Sequence, residues 1–286
     1  MTFGISTHLF HNERLDRAHL ETIKAHGFDL VEIFATRTHV DYRDRGVILA
    51  LRGWLGDLGI TAATMHAPIF DSFRGGQWGR PLSNASNVAA NRMEAIDETK
   101  AAIDAARELG CQVVVLHLGL PRGQKIPAGD NDASAVRKSL EAIASAASAA
   151  GVRLALEVIP NDLSTPAALV DLLSGDLDVG DTGICLDFGH AHMMTGTAES
   201  SHLFFTRSSG SASARRVRSA YVSGAAGPFG GHRSSPSSSL LARRGFAARR
   251  TRSRHLRIVI ELESRAASRG RLRPRPQLRP RRIGME

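Results

Sequence analysis

The chain has 286 residues, of which 42% are hydrophobic, enough for one large α/β barrel or two smaller domains. No apolar run approaches the ~20 residues that a membrane-spanning helix needs, and the first residues lack the basic and apolar segments of a signal peptide. We therefore expect a cytoplasmic protein without membrane partners. The two cysteines, Cys111 and Cys185, lie far apart at the edges of apolar runs, as buried thiols in a reducing compartment would.

The formal net charge of +9 is distributed unevenly along the chain. Residues 1–200 carry 17 Lys and Arg against 25 Asp and Glu, a balance of −8. Residues 201–286 carry 20 Arg and 3 Glu, a balance of +17. The basic character therefore belongs to the C-terminal segment, and the first 200 residues are acidic.

Short apolar, β-branched runs alternate with longer amphipathic runs over residues 1–200. The predicted strands are Phe3–Thr7, Leu30–Phe34, Ile60–His66, Gln112–His117, Arg153–Val158 and Gly183–Asp187. The predicted helices are Glu13–Ala25, Asp44–Leu58, Asn87–Leu109, Ala133–Ala150 and Thr165–Leu173. This alternation favours a parallel sheet with right-handed helical crossovers.

Six βα units do not close an eight-stranded barrel, but residues 201–286 have about the length of two further units. Their composition is atypical, because Arg, Ser, Gly, Ala and Pro dominate and amphipathic periodicity fades. Only Val217–Ser223 and Leu256–Leu262 are typical of strands. We therefore predict a (β/α)8 TIM barrel, with units 1–6 in residues 1–200 and an irregular segment, residues 201–286, in place of units 7 and 8.

Three interpretations of the Arg-rich segment remain open. It is a basic tail that binds nucleic acid, an unusual linker, or the product of a shift in reading frame near residue 200. We favour the frame shift, because the composition changes abruptly where the seventh unit should begin. In addition, GC-rich coding sequence read out of frame yields Arg, Ser, Pro, Gly and Ala.

Four polar residues close four consecutive predicted strands: His66, His117, Glu157 and Asp187. The carboxyl ends of parallel barrel strands share one face, so we expect these side chains to surround a single site. Two imidazoles and two carboxylates suit a divalent cation such as Zn, Mn, Mg or Co. His190, three residues after Asp187, is a further candidate ligand or substrate contact.

The motifs Met-His66-Ala-Pro, His117-Leu-Gly, Leu-Glu157 and Leu-Asp187-Phe-Gly-His190 resemble, in order and spacing, those of the xylose isomerase-like TIM-barrel superfamily. That superfamily includes sugar-phosphate isomerases and epimerases, tagatose-type 3-epimerases, inosose dehydratases and endonuclease IV. The resemblance covers about residues 1–195. It implies a metal-dependent isomerase or epimerase whose substrate is a small sugar or sugar phosphate.

By this resemblance, Glu157 and Asp187 bind the metal together with a seventh-strand histidine and an eighth-strand glutamate. The eighth-strand residue is identified as Glu261, with Glu263 as the alternative. The resemblance also makes Glu157 and Glu261 the acid and base of proton transfer. It implies that three histidines contact substrate oxygens: His190, His66 and His117. The seventh strand departs from the family pattern, because Ala-Tyr-Val-Ser offers no ligand.

Abstracting a proton beside a carbonyl needs a base and a means to stabilise the enediolate, which a divalent metal on adjacent substrate oxygens supplies. Carboxylates on both faces of the carbon would give epimerisation, and one base shuttling between neighbouring carbons would give aldose–ketose isomerisation. The aromatic residues Phe73 and Trp78 are candidates to cover the substrate, and His8 and Glu32 are candidates to line the site.

Two other functions stay open. Endonuclease IV-like nucleases also use third- and fourth-strand histidines. However, the barrel is acidic and the seventh strand lacks the further His and Asp ligands of a tri-metal site, so nucleic acid is disfavoured as a partner. The second alternative is a non-catalytic remnant of the barrel family. Homo-oligomerisation is left open by the sequence.

Overall fold

The computed structural model describes residues 2–122, 129–195, 220–225 and 257–261. Eight strands form a closed barrel in this part of the chain: β1 Thr2–Ser6, β2 Leu30–Phe34, β3 Thr61–His66, β4 Val113–Leu116, β5 Arg153–Glu157, β6 Gly183–Asp187, β7 Ala220–Ala225 and β8 Arg257–Glu261. The first six strands are each followed by a helix: α1 Arg17–Ala25, α2 Arg45–Leu58, α3 Ala89–Leu109, α4 Ala133–Ala150, α5 Pro166–Ser174 and α6 Phe188–Thr195. The predicted (β/α)8 barrel is confirmed.

The strands follow the order β1-β8-β7-β6-β5-β4-β3-β2 around the barrel. Neighbours from β1 through β7 are parallel, whereas β8 is antiparallel to both β7 and β1. The parallel sheet predicted for residues 1–200 is therefore confirmed, whereas the sequence did not show that β8 runs in the opposite direction. The reason is that an apolar run predicts a strand but not its direction, which depends on the connection preceding it.

The structure confirms both strands predicted within the Arg-rich segment, with bounds shifted to Ala220–Ala225 and Arg257–Glu261. The other residues of 201–286 lie outside the described residues. The domain boundary at residue 200 and the frame shift therefore stay predictions. The nucleotide sequence around codon 200 tests the frame shift directly.

Helix ends in the barrel follow simple capping chemistry. The Asp44 carboxylate accepts hydrogen bonds from the backbone N–H groups of Gly46 and Val47 at the start of α2. Gly59 ends α2 in the left-handed conformation with φ 60°, which glycine adopts without steric cost. Such ends place each following strand close to the helix that precedes it. Among the described residues, no helix is long and apolar enough to span a lipid bilayer.

Strand alternation separates two packed layers. Val113, Val115, Ala155 and Cys185 form a small cluster in the barrel interior. The alternate strand residues belong to a larger cluster that also contains helix residues such as Leu20, Leu51, Ile103 and Leu140. Fully burying one such side chain contributes roughly 1.5–3 kcal/mol. The two-residue repeat places His117 on the face of Val115 and Glu157 on the face of Ala155, so both side chains face inward.

His39 lies in the loop after β2 and is fully buried. Its Nδ1 donates a hydrogen bond to the Glu13 carbonyl oxygen at 2.7 Å. Burial lowers the pKa of His39 from 6.5 to about 4. The folded protein therefore keeps this imidazole neutral at a pH where the unfolded chain protonates it.

We expect His39 to make the protein acid-sensitive. Its stabilising contribution is fully present above pH 6.5 and is lost as the pH falls towards about 4, lowering the free energy of unfolding by about 3 kcal/mol. Denaturant melts from pH 7.5 to 4.5 measure this change. His39→Asn, whose amide retains a donor, should flatten the pH dependence, whereas His26→Asn at an exposed position should not. An unchanged slope in His39→Asn would contradict the assignment.

Candidate active site

The four strand-end residues converge at the carboxyl ends of the central strands. His66, Glu157 and Asp187 are the last residues of β3, β5 and β6, and His117 follows β4 directly. All four are buried, with exposed fractions of 0% for His66, Glu157 and Asp187 and 7% for His117. The expectation that they meet on one face of the barrel agrees with this placement, because adjacent parallel strands end at the same level.

Glu157 is the centre of the group. Its Oε2 atom lies 2.9 Å from Nε2 of His66 and 3.1 Å from Nε2 of His117. Its Oε1 atom lies 3.4 Å from Nδ1 of His190. His190 belongs to the first turn of α6, the helix that follows β6. One carboxylate thus contacts three imidazoles that come from three different βα units.

The hydrogen bonds of His66 determine what lies between it and Glu157. Nδ1 of His66 is 2.7 Å from the carbonyl oxygen of Ala67, which can only accept, so Nδ1 carries a proton. In a neutral imidazole, Nε2 would then present a lone pair to the Glu157 carboxylate 2.9 Å away. This contact is favourable only when a proton or a cation is shared between the two atoms.

Asp187 adds a second buried carboxylate beside Glu157. Its Oδ1 accepts a hydrogen bond from the backbone N–H of His190 at 2.9 Å, and its Oδ2 lies 3.8 Å from the His190 Nδ1. Two carboxylates withdrawn from water are costly unless positive charge compensates them. The imidazole of His190 between them is placed either to share a proton or to join them around a cation.

Two overlapping sets of ligand atoms fit a metal ion. His66, His117 and Glu157 form one set, and Glu157, Asp187 and His190 form the other, each with atoms within 4.8 Å of one another. Nitrogen and carboxylate oxygen ligands suit Zn and Mn, and the second set, with two carboxylates, also suits Mg. The donor chemistry of the residues present therefore fits the divalent metal that the sequence implies.

Glu261 requires a correction. The antiparallel register of β8 pairs Glu261 with Thr2, at the amino end of β1, whereas Glu157 and Asp187 end their strands at the opposite rim. The backbone of Glu261 therefore lies at the other end of the barrel, and the arrangement does not support it as a metal ligand or catalytic group. Glu263, the alternative, lies outside the described residues.

An aromatic wall, defined as His8, His11, Phe34, Phe73 and Trp78, adjoins the site. Trp78 stacks on His11 with centroids 5.2 Å apart and meets Phe73 edge-on at 4.6 Å. Phe34 lies between Trp78 and the site, with centroid distances of 6.2 Å to Trp78 and 5.4 Å to the His66 ring. The wall thus extends from the hairpin after β3, formed by the short antiparallel strands Phe73–Arg74 and Gln77–Trp78, to the buried histidines.

Sequence reasoning named His8, Phe73 and Trp78 but missed His11 and Phe34. Phe34 could have been found, because it ends β2 as His66 ends β3, and the two are paired in register. Glu32 pairs with Thr64, one inward-facing layer deeper than the Phe34–His66 pair. It is therefore a buried residue of the barrel interior rather than part of the rim.

The chain matches the family model described as "Xylose isomerase-like TIM barrel" over residues 20–259. It belongs to this family, and the match continues past residue 200 through β7. No curated protein matches the chain.

Solved structures share the fold. A D-tagatose 3-epimerase-like protein is 28% identical with a TM-score of 0.55, and the match covers 70% of this chain and 69% of that one. The 3-keto-D-glucoside 4-epimerase from E. coli is 16% identical with a TM-score of 0.51, covering 68% and 74%. A D-psicose 3-epimerase is 19% identical with a TM-score of 0.52, covering 67% and 65%. Each of these proteins is named as, or as similar to, a sugar epimerase.

Proposed function

We propose that the protein is a divalent-metal-dependent isomerase or epimerase of a small sugar, acting by proton transfer at a carbon next to a carbonyl. The observation that carries the proposal is the buried Glu157 carboxylate, held by three imidazoles at 2.9, 3.1 and 3.4 Å. A buried carboxylate in this setting combines a proton-transfer group with partners that keep it oriented. Membership of the barrel family and the likeness to a D-tagatose 3-epimerase-like protein support the sugar as substrate class.

We assign the metal to Glu157, Asp187 and His190. Asp187 and Glu157 are both fully buried, so a cation in contact with both would compensate their charge. His190, taken from the sequence as a substrate contact, lies within 3.8 Å of both carboxylates and completes the set. When bound, the metal would polarise the substrate carbonyl and stabilise negative charge on adjacent oxygens.

The protein's own groups divide the remaining work. The Oε2 atom of Glu157, on the side away from His190, takes the proton from the substrate carbon. His66 and His117, each with Nε2 near that atom, hold the carboxylate in place and share protons with it. Since Glu261 lies at the other end of the barrel, the described residues supply Glu157 as the carboxylate base and the histidines as its proton-transfer partners.

Incubation with ketoses and aldoses in D2O, with Mn²⁺ or Co²⁺ added, tests the proposal. We expect conversion with deuterium at the reacting carbon, because an abstracted proton can exchange with solvent. The product separates the two routes: a changed hydroxyl configuration means epimerisation, and an aldose–ketose change means isomerisation. Cleavage of abasic DNA without any sugar conversion would instead support the nuclease, and metal binding without turnover would support the remnant.

Trp78→Ala should weaken substrate binding without stopping the reaction. A sugar stacked on this ring would lose roughly 0.5–1.5 kcal/mol, so KM should rise up to about tenfold while kcat changes little. Steady-state kinetics measure the split. Phe3→Ala is the matched control, because Phe3 is an exposed aromatic residue on β1 near the opposite rim. Equal effects of the two substitutions would argue against the aromatic wall as part of the substrate site.

A further inference from the structure

We propose that Asn84 is a positioning residue that fixes the main chain at His117 and thereby holds the His117 imidazole against Glu157. Asn84 lies in the loop between the Trp78 hairpin and α3, and only 4% of it is exposed. Its Nδ2 donates a hydrogen bond to the His117 carbonyl oxygen at 2.7 Å, and its Oδ1 accepts one from the Gly119 N–H at 3.3 Å. One side chain thus bridges both ends of the His117–Gly119 turn.

His117 depends on such support because it lies just outside the sheet. Strand β4 ends at Leu116, so strand pairing does not extend to His117. The Nε2 atom must still lie 3.1 Å from Oε2 of Glu157, and a small shift of the main chain would move the ring out of reach. Gly119 makes the turn sharp, with φ +74°.

Asn84 is itself anchored by a different element. The Ser139 hydroxyl on α4 donates a hydrogen bond to the Asn84 carbonyl oxygen at 2.6 Å. The anchor is buried, since Ser139 is 1% exposed. Asn84 therefore transmits the position of α4 to the first residue beyond β4, and it acts on the site through His117.

Asn131, a half-buried residue in the loop between β4 and α4, offers a comparison because it bonds the same segment of main chain. Its Nδ2 donates to the Leu120 carbonyl oxygen at 3.0 Å, and its Oδ1 accepts from the Leu120 N–H at 2.7 Å. Asn→Asp at either position keeps the acceptor and replaces the donor with an oxygen that faces a carbonyl. Both substitutions change a side chain bonded to the segment after β4, and they differ in whether the bonded carbonyl belongs to His117 or to Leu120.

The test is ¹⁵N NMR of the imidazole groups in the full-length, metal-free protein, with the His117 signals assigned by their loss in His117→Gln. Asn84→Asp should shift the His117 ring resonances, and Asn131→Asp should leave them in place while lowering stability comparably. A second measurement, of steady-state kinetics, is the only part of the test that rests on the proposed function. There, Asn84→Asp should lower kcat about 10–100-fold with KM within about twofold.

Several outcomes would overturn the proposal. Unchanged His117 resonances in a folded Asn84→Asp protein would exclude the positioning role, and equal shifts in both aspartate variants would indicate general loosening of the loop. If Asn84→Asp fails to fold, Ser139→Ala releases the Asn84 carbonyl instead, and it should then give a smaller shift of the same resonances. No shift in that variant would also overturn the role. A protein inactive on every sugar would count against the proposed function, while the NMR arm still reports on Asn84.

Discussion

Replacing Glu157 by glutamine is expected to lower turnover about 10²–10⁴-fold, the range supplied by a positioned acid or base. Glutamine has nearly the same shape as glutamate, so the contacts with His66, His117 and His190 remain sterically possible. The amide cannot accept a proton from carbon at neutral pH, and its oxygen is a poorer metal ligand than a carboxylate. Because both candidate metal sets contain Glu157, metal affinity should fall in the same variant.

The control for this experiment is Glu98→Gln. Glu98 is also a buried glutamate, at 8% exposure, but it bonds Tyr42 and Arg43 and takes no part in the proposed site. Its loss should reduce stability and leave kcat unchanged. Steady-state rates on the best sugar substrate measure both variants. Wild-type turnover in Glu157→Gln would mean that another group is the base, and the proposed mechanism would be wrong.

The second large effect concerns where the metal binds. Asp187→Asn should weaken divalent metal binding by about 100-fold or more. Loss of a side chain that hydrogen-bonds to a metal ligand typically lowers metal affinity about 10–100-fold, and loss of the ligand itself should lower it at least as much. His66→Gln should leave affinity within a few-fold of wild type, since we assign His66 to the substrate side. Titration with Co²⁺, followed by its visible absorption, gives both affinities without any turnover.

The opposite result would be equally informative. If His66→Gln loses the metal and Asp187→Asn retains it, the ion is held by the set of His66, His117 and Glu157 instead. Trp78→Ala controls for unrelated disturbance of the rim, because an indole is not a ligand for these ions. Its Co²⁺ affinity should match that of the wild type.

The central part of the site could be predicted because strand geometry determines it. Alternation along a strand decides which residues face inward, and parallel strands bring their last residues to one rim. His66, Glu157 and Asp187 follow directly from these two rules. Glu261 does not, because its strand runs the other way and nothing in Arg-Ile-Val-Ile-Glu records direction.

The contacts that loop residues make with the site could not be predicted from strand geometry. Asn84 meets His117 from 33 positions away, through a loop whose path depends on α4 and on the turn after β4. His11 similarly reaches Trp78 from another βα unit. Local sequence patterns describe periodic elements, whereas these contacts depend on how separate loops pack once the barrel has closed.

The antiparallel pairing of β8 with β1 has a consequence for synthesis in the cell. Strand β8 hydrogen-bonds to both β1 and β7, so residues 257–261 close the barrel. On the ribosome, β1 emerges more than 250 residues before its partner and presents an open strand edge until then. Open edges of this kind recruit other chains. Slow or interrupted translation of the Arg-rich segment should therefore favour aggregation of nascent chains, even though the residues of the proposed site lie elsewhere.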